Sequence, residues 1–462
     1  VSPSNNVVTP LNNFQLGDVN AQHKPLYEAS VWLEFAQLMA TRDDPINLGQ
    51  GFPSWESEPF VAKAAAQVFE RNDVSTCVYA RTRGHVPFLQ AVAKHYSPRM
   101  GRKLDPMKHI LPTVGASQAI QLTMLTFLRP GDEIILIEPF FDLYKAVAIM
   151  TGATIKSVPL RFKEESGGNG KKSAGSFILD MDELASMFSE KTRILVLNSP
   201  HNPTGKVFCR EEYEQIANII RAKGPNCLVM SDEVYEHLVF DGVEHIPFAS
   251  IAEDMYQRTV TLYSAGKTFS ATGWKLGWII AAPELANRCI LMQQWIVFSV
   301  SSPLQQAVAD ILELADQPYK GFENYYSWLR SEYTRKRDIA VHMLQEIHMD
   351  PIVPQGSFFI MADTRKVPPA FAYFPEEQQH LMAAGRVEID SQTRDRRDYN
   401  VARNILLKAG VSSIPVSSFY SPDHMHLSTN YLRFACCQKD HRLEMAHERL
   451  VKLLVADPKN KL

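Results

Sequence analysis

Five apolar runs of strand length constrain the fold of this 462-residue chain more than any other feature. They are EIILIEP (133–139), RILVLNSP (193–200), CLVMSDE (227–233), VTLYSAG (260–266) and GWIIAA (277–282). None alternates cleanly between polar and apolar residues. Strands covered on both faces read this way. Helical patterns such as GASQAIQLTMLTFL and REEYEQIANIIRAKG lie between them. Alternating strand and helix predicts an α/β domain on a mixed, mostly parallel sheet between helices, placed at residues 60–320.

Beyond that domain the pattern changes. NYYSWLRSEYTRKRDIAVHMLQEI reads as one long helix and RLEMAHERLVKLLVADP as a terminal one. Shorter pieces between them predict a smaller α+β domain over 321–462, joined by the N-terminal segment 1–59. KEESGGNGKKSAGS (163–176) reads as a mobile surface loop, and EEQQHLMAAGRVEIDSQTRDRRD as a peripheral charged stretch.

Composition excludes several classes. A net charge of -3 gives no electrostatic reason to expect nucleic acid or an anionic membrane as partner. No apolar run approaches the ~20 residues of a membrane-spanning helix. The six cysteines, Cys77, Cys209, Cys227, Cys289, Cys436 and Cys437, form no CxxC pair and no zinc-like spacing, so no metal site is expected. They are too sparse for a disulfide scaffold and read as free thiols in a reducing compartment. VSPSNNVVTPLNNFQ has neither the basic nor the apolar run of a signal peptide. The expectation is a cytoplasmic protein, with the mitochondrial matrix as the alternative.

Ligands of open α/β sheets sit beyond the carboxyl ends of the strands. At those ends this sequence places Asp232, the PHNPTG loop, Lys267, and the helix start in TVGASQA. Taken singly, these are a helix cap, a turn, a solvated lysine and an ordinary helix start. Taken together they are what pyridoxal phosphate requires. It needs an amine for a Schiff base, a carboxylate at its ring nitrogen, and phosphate donors at a helix N-terminus. Lys267 and Lys275 both lie in TVTLYSAGKTFSATGWKLGWII, and spacing alone does not separate their roles.

NSPHNPTGKV, SDEVYEHLVFDG and SAGKTFSATGWKLGW resemble the signature of the fold-type I, class I/II aminotransferases. INLGQGFPSWE, IEPFFDLY, IPVSSFYS and YLRFACCQKD narrow the resemblance to the kynurenine aminotransferase, glutamine transaminase K and cysteine-S-conjugate β-lyase group. It runs from about residue 24 to the C-terminus. It implies a ping-pong transfer of an amino group from an aromatic or related L-amino acid (kynurenine, glutamine or phenylalanine-like) to a 2-oxo acid. Lys267 would carry the cofactor as a Schiff base and shuttle the proton. Lys275, Ser264 and the backbone of Ala116 and Ser117 would hold the phosphate. Asp232 would pair with the ring nitrogen, Tyr235 and Asn202 with the phenolic oxygen, and Phe141 would stack on the ring. Arg433 would grip the substrate carboxylate beside Gly51 and Asn202, and Trp32 would wall the side-chain pocket. Tyr79 would reach the phosphate of a partner subunit, which implies a homodimer with shared active sites.

Two positions depart from the group. Ser117 stands where close members carry an aromatic residue, and FSVSSPLQQ lacks their histidine or aromatic pair. Both bear on donor preference, and β-elimination from cysteine conjugates is the alternative reaction on the same fold. Other classes fit poorly. GQGFPS opens no helix pattern, which removes the dinucleotide fingerprint. The N-terminal stretch is too short and not basic enough to be a DNA-binding unit.

Overall fold

The computed structural model describes Leu26, residues 30–163 and residues 172–456. The N-terminal stretch read for a leader, and residues 164–171 of the expected loop, lie outside the described residues. All five apolar runs form strands of one eight-stranded sheet. In spatial order its strands are Ile110–Thr113, Gly277–Ala281, Thr259–Ser264, Leu228–Asp232, Thr192–Asn198, Glu133–Glu138, Thr154–Phe162 and Phe177–Leu179. The central pairings are parallel. Gly277–Ala281 runs antiparallel to both neighbours, which makes the sheet mixed.

The continuous apolar runs have a direct cause. Along Thr192–Asn198, Ile194 and Val196 enter one hydrophobic core, while Leu195 and Leu197 enter the other. A strand with a core on each face is apolar through its middle, and its polar residues Thr192, Arg193 and Asn198 fall at its ends. Helices Gly115–Phe127 and Asp142–Thr151 cover the first face, and both start at the rim where the strands end.

A smaller sheet follows the order Ile414–Pro415, Tyr431–Ala435, Phe359–Asp363, Asp350–Val353 and Lys172–Ser173. The 22-residue helix Tyr325–Glu346 packs on it. Ile46–Asn47 pairs in parallel with Val411–Ser412, tying the N-terminal segment to this half of the molecule. Two expectations change here. Lys172 and Ser173, expected in a loop, pair with Ile352 and Val353 and cover an otherwise open sheet edge. The charged stretch after residue 375 is not wholly peripheral, because Gln378 and Thr393 are buried.

Those two residues serve a buried ion pair. Arg403 donates to both oxygens of Glu34, at 2.7 and 3.1 Å, and to Thr393 and Asn400. Gln378 Nε2 donates to Glu34 Oε1 at 2.9 Å. The pair fixes helix Val31–Met39, which carries Trp32, against helix Arg397–Ala409. Removing one partner strands the other charge in the interior. Glu34→Ala should cost about 3–5 kcal/mol of unfolding free energy in denaturant titration, and the double change Glu34→Leu with Arg403→Met should recover most of it.

Candidate active site

The strand Thr259–Ser264 ends at the rim and turns into the single helical turn Ala265–Thr268. That turn projects Lys267 inward, where its Nζ donates to the Gly51 carbonyl at 2.6 Å. Gly51 sits there because a Cβ would fall 2.4 Å from the Phe359 ring. Only glycine lets the backbone approach so closely. Burial draws the Lys267 amine down to about 8, with the Arg433 and Lys275 charges adding to the effect.

Asp232 closes the neighbouring strand and is 4% exposed. Burial pushes its carboxyl up to about 6. Three interactions oppose this: a hydroxyl bond from Tyr144 at 2.6 Å, a long bond from the Val234 N–H and the Lys267 charge. Behind it, Asn198 Nδ2 donates to the Asp232 carbonyl, and Asn198 Oδ1 accepts from the Asn202 N–H. The strand end therefore sets the loop that carries Asn202.

Helix Gly115–Phe127 starts on the same rim with Val114 as its N-cap, which offers no side-chain acceptor. The N–H groups of its first turn therefore lack the usual partner and favour an anion. Gly277 allows this approach, since a Cβ there would lie 2.9–3.0 Å from the Gly115 and Ala116 backbone. Lys275 adopts left-handed backbone geometry and directs its Nζ to Ser117 Oγ at 3.4 Å.

Arg433 enters from the smaller sheet and is 1% exposed. Its guanidinium donates to Asn202 Oδ1 at 2.8 Å and to the Gly49 carbonyl at 2.6 Å, and both acceptors are neutral. Its Nε has no partner. Phe359 lies 4.1 Å from its carbon, with Phe419 and Trp32 at 5.0 and 5.4 Å. Burial brings this arginine down to about 10, while Asp142 acts on it only through space. A buried cation with neutral partners and a spare N–H is poised for an incoming carboxylate.

These groups surround one cleft of about 640 Å³. Every site residue expected from the sequence lines it except Tyr79. Tyr79 is 82% exposed and sits edge-on to Phe298 at 5.5 Å. The sequence reading missed Asp142, Tyr144, Phe359 and Asn198. Asp142 and Tyr144 lie within the quoted IEPFFDLY. Asp142 Oδ2 accepts from Trp32 Nε1 at 2.5 Å, a contact across 110 residues that no local pattern signals. Phe359 sits in a buried strand like any other.

Comparison with known proteins agrees with this geometry. The family model "Aminotransferase class I and II" matches residues 43–450. The kynurenine–oxoglutarate transaminase of Dictyostelium discoideum is 40% identical over 429 residues, covering 92% of this chain and 94% of that protein. Human kynurenine–oxoglutarate transaminase 1 is 34% identical, covering 91% and 95%. Among solved structures, Bna3p of Saccharomyces cerevisiae superposes with a TM-score of 0.84 at 31% identity, over 95% of this chain and 99% of that one. N-succinyldiaminopimelate aminotransferase of Mycobacterium tuberculosis gives 0.77 at 33%, over 94% and 100%. With the matched model spanning most of its length, this chain belongs to the class I and II aminotransferases, which depend on pyridoxal phosphate.

Proposed function

We propose that this enzyme takes the amino group from neutral aromatic or related L-amino acids, kynurenine among them, and delivers it to a 2-oxo acid. The observation that carries this reading is Arg433, a buried guanidinium with neutral partners on the same cleft as Lys267. The names of the similar transaminases support the substrate class.

The cleft suits pyridoxal phosphate on its own chemistry: a depressed lysine, a buried carboxylate and an uncapped helix start. When bound, that group supplies an electron sink for charge developing at the substrate α-carbon. Asp232 would hold the ring-nitrogen proton. Tyr235 and the amide nitrogen of Asn202 would donate to the phenolic oxygen, and Phe141 would cover the ring. Ser264, Lys275 and the Ala116 and Ser117 N–H groups would bind the phosphate. Lys267, drawn down to about 8 by burial, carries a far larger neutral fraction near neutral pH than an ordinary lysine and can accept and return the α-proton. Arg433 orients the carboxylate as a planar fork, beside Gly51.

Trp32, Phe141 and Phe359 are aromatic walls of the cleft, with Trp32 assigned to the substrate side chain. The Asp142 carboxylate also lines it and is raised by burial. Flat neutral side chains match those walls, and an acidic one meets a like charge. Tyr79, Phe298, Val74 and Trp295 are exposed apolar groups. The exposed Tyr79–Phe298 pair supports a homodimer in which Tyr79 would reach the partner's cofactor phosphate. The six cysteines are free thiols, in keeping with a reducing compartment, the cytoplasm or the mitochondrial matrix.

Lys267→Ala should fold but lose at least about 10²-fold in turnover, read in a steady-state transaminase assay. Arg433→Lys keeps the charge but loses the fork. It should lower kcat/KM by roughly 10–100-fold for kynurenine, phenylalanine and glutamine alike, and an effect confined to aromatic donors would place the carboxylate site elsewhere. Covalent uptake of pyridoxal phosphate by the apoprotein needs the neutral amine. Its rate should climb with pH and level off above about 8, as followed by visible absorbance.

A further inference from the structure

The first turn of helix Asp142–Thr151 meets the cleft at three points. Phe141 lines it, Asp142 holds Trp32, and Tyr144 donates its hydroxyl to Asp232 Oδ2 at 2.6 Å. Tyr144 and Asp232 are both almost free of solvent contact. Among the described residues, the other Asp232 oxygen receives only the 3.4 Å bond from the Val234 N–H.

We propose that Tyr144 is a positioning residue for the cofactor: its hydroxyl keeps the Asp232 carboxylate ionised and fixes one oxygen, leaving the other for the ring nitrogen. The proposal rests on reading Asp232 as the ring-nitrogen partner. A phenol has one proton to give, and the short bond commits it to Asp232. Burial and the Asp232 charge hold the Tyr144 hydroxyl well above its ordinary pKa, so it remains a donor throughout the working range. Two other titratable groups face Asp232 through space, Lys267 from the next strand end and Tyr235 from the following turn. Glu233, adjacent in the chain, is occupied elsewhere by Ser231 and Tyr263. Of these groups, Tyr144 alone makes a side-chain hydrogen bond to Asp232. Losing that bond leaves burial less opposed, so the carboxyl takes a proton at higher pH.

The test is the affinity of apoprotein for pyridoxamine phosphate, which forms no imine with Lys267, followed by tryptophan quenching between pH 5 and 9. In the wild type, affinity should fall on the acid side near pH 6, as Asp232 protonates. In Tyr144→Phe that acid limb should move up by roughly one to two pH units, with a smaller change at pH 8. 3-Fluorotyrosine placed at position 144 preserves the packing and makes a stronger donor, so its limb should move down. If Tyr144→Phe does not fold, the fluorinated protein decides alone. An unmoved limb, whether affinity is unchanged or uniformly reduced, overturns the proposal and leaves Tyr144 as packing. Asp232→Asn separates the underlying reading, because it should abolish the acid limb. A wild-type limb in Asp232→Asn would overturn the Asp232 assignment and the Tyr144 proposal with it.

Discussion

The buried guanidinium of Arg433 joins three parts of the molecule at one point. It rises from strand Tyr431–Ala435 of the smaller sheet, bonds the Asn202 side chain beyond the larger sheet, and bonds the Gly49 carbonyl of the N-terminal segment. Each contact presupposes a different piece of folding. Asn202 is set by Asn198 at a strand end, and Gly49 by pairing of the neighbouring Ile46–Asn47 with Val411–Ser412. Trp32 faces the same guanidinium because the Glu34–Arg403 pair anchors its helix. Moving the smaller sheet would displace Arg433 before it displaced Lys267 and Asp232, which belong to the larger one.

Burial is the common cause of the site's electrostatics. It pushes Asp232 up to about 6, draws Lys267 down to about 8 and draws Arg433 down to about 10. In each case the charged form is disfavoured by desolvation. The protein compensates only in part, with a tyrosine hydroxyl, a backbone carbonyl or an amide. Each group would therefore gain from the ligand proposed for it: a protonated ring nitrogen for Asp232, a carbonyl carbon for Lys267, a carboxylate for Arg433. Shifts of opposite sign gathered in one cleft mark a functional site more firmly than any single displaced value.

The sheet was readable from sequence because both faces are buried. The middle of runs such as RILVLN is apolar for that reason, and the turns after them line the cleft. Ile110–Thr113 and Thr154–Phe162 did not stand out, since ILPT is short and TIKSVPLRF mixes lysine, serine and proline into a strand near the sheet's edge. Most of the proposed site residues were named from motif resemblance rather than from physical pattern, and Lys267 could not be told from Lys275 by spacing; the structure gathers all but Tyr79 on one cleft. The missed contacts are long-range. Tyr144 meets Asp232 across 88 residues and Asp142 meets Trp32 across 110. Periodicity reports which face a residue occupies and not which distant side chain shares it. The Lys172–Ser173 edge strand was hidden for another reason: two residues in a Gly/Ser-rich stretch carry no strand signal, and the partner strand supplies the order.

The most direct test of an aminotransferase is a single half-reaction. Purified protein saturated with pyridoxal phosphate is mixed with excess L-phenylalanine or L-kynurenine, with no 2-oxo acid acceptor present. Released 2-oxo acid (for kynurenine, its cyclised product) and ammonia are then measured. The account predicts one equivalent of product per chain and then arrest, no ammonia, and renewed turnover when a 2-oxo acid is added. Continuous release of ammonia, or no product from any amino acid offered, would contradict it.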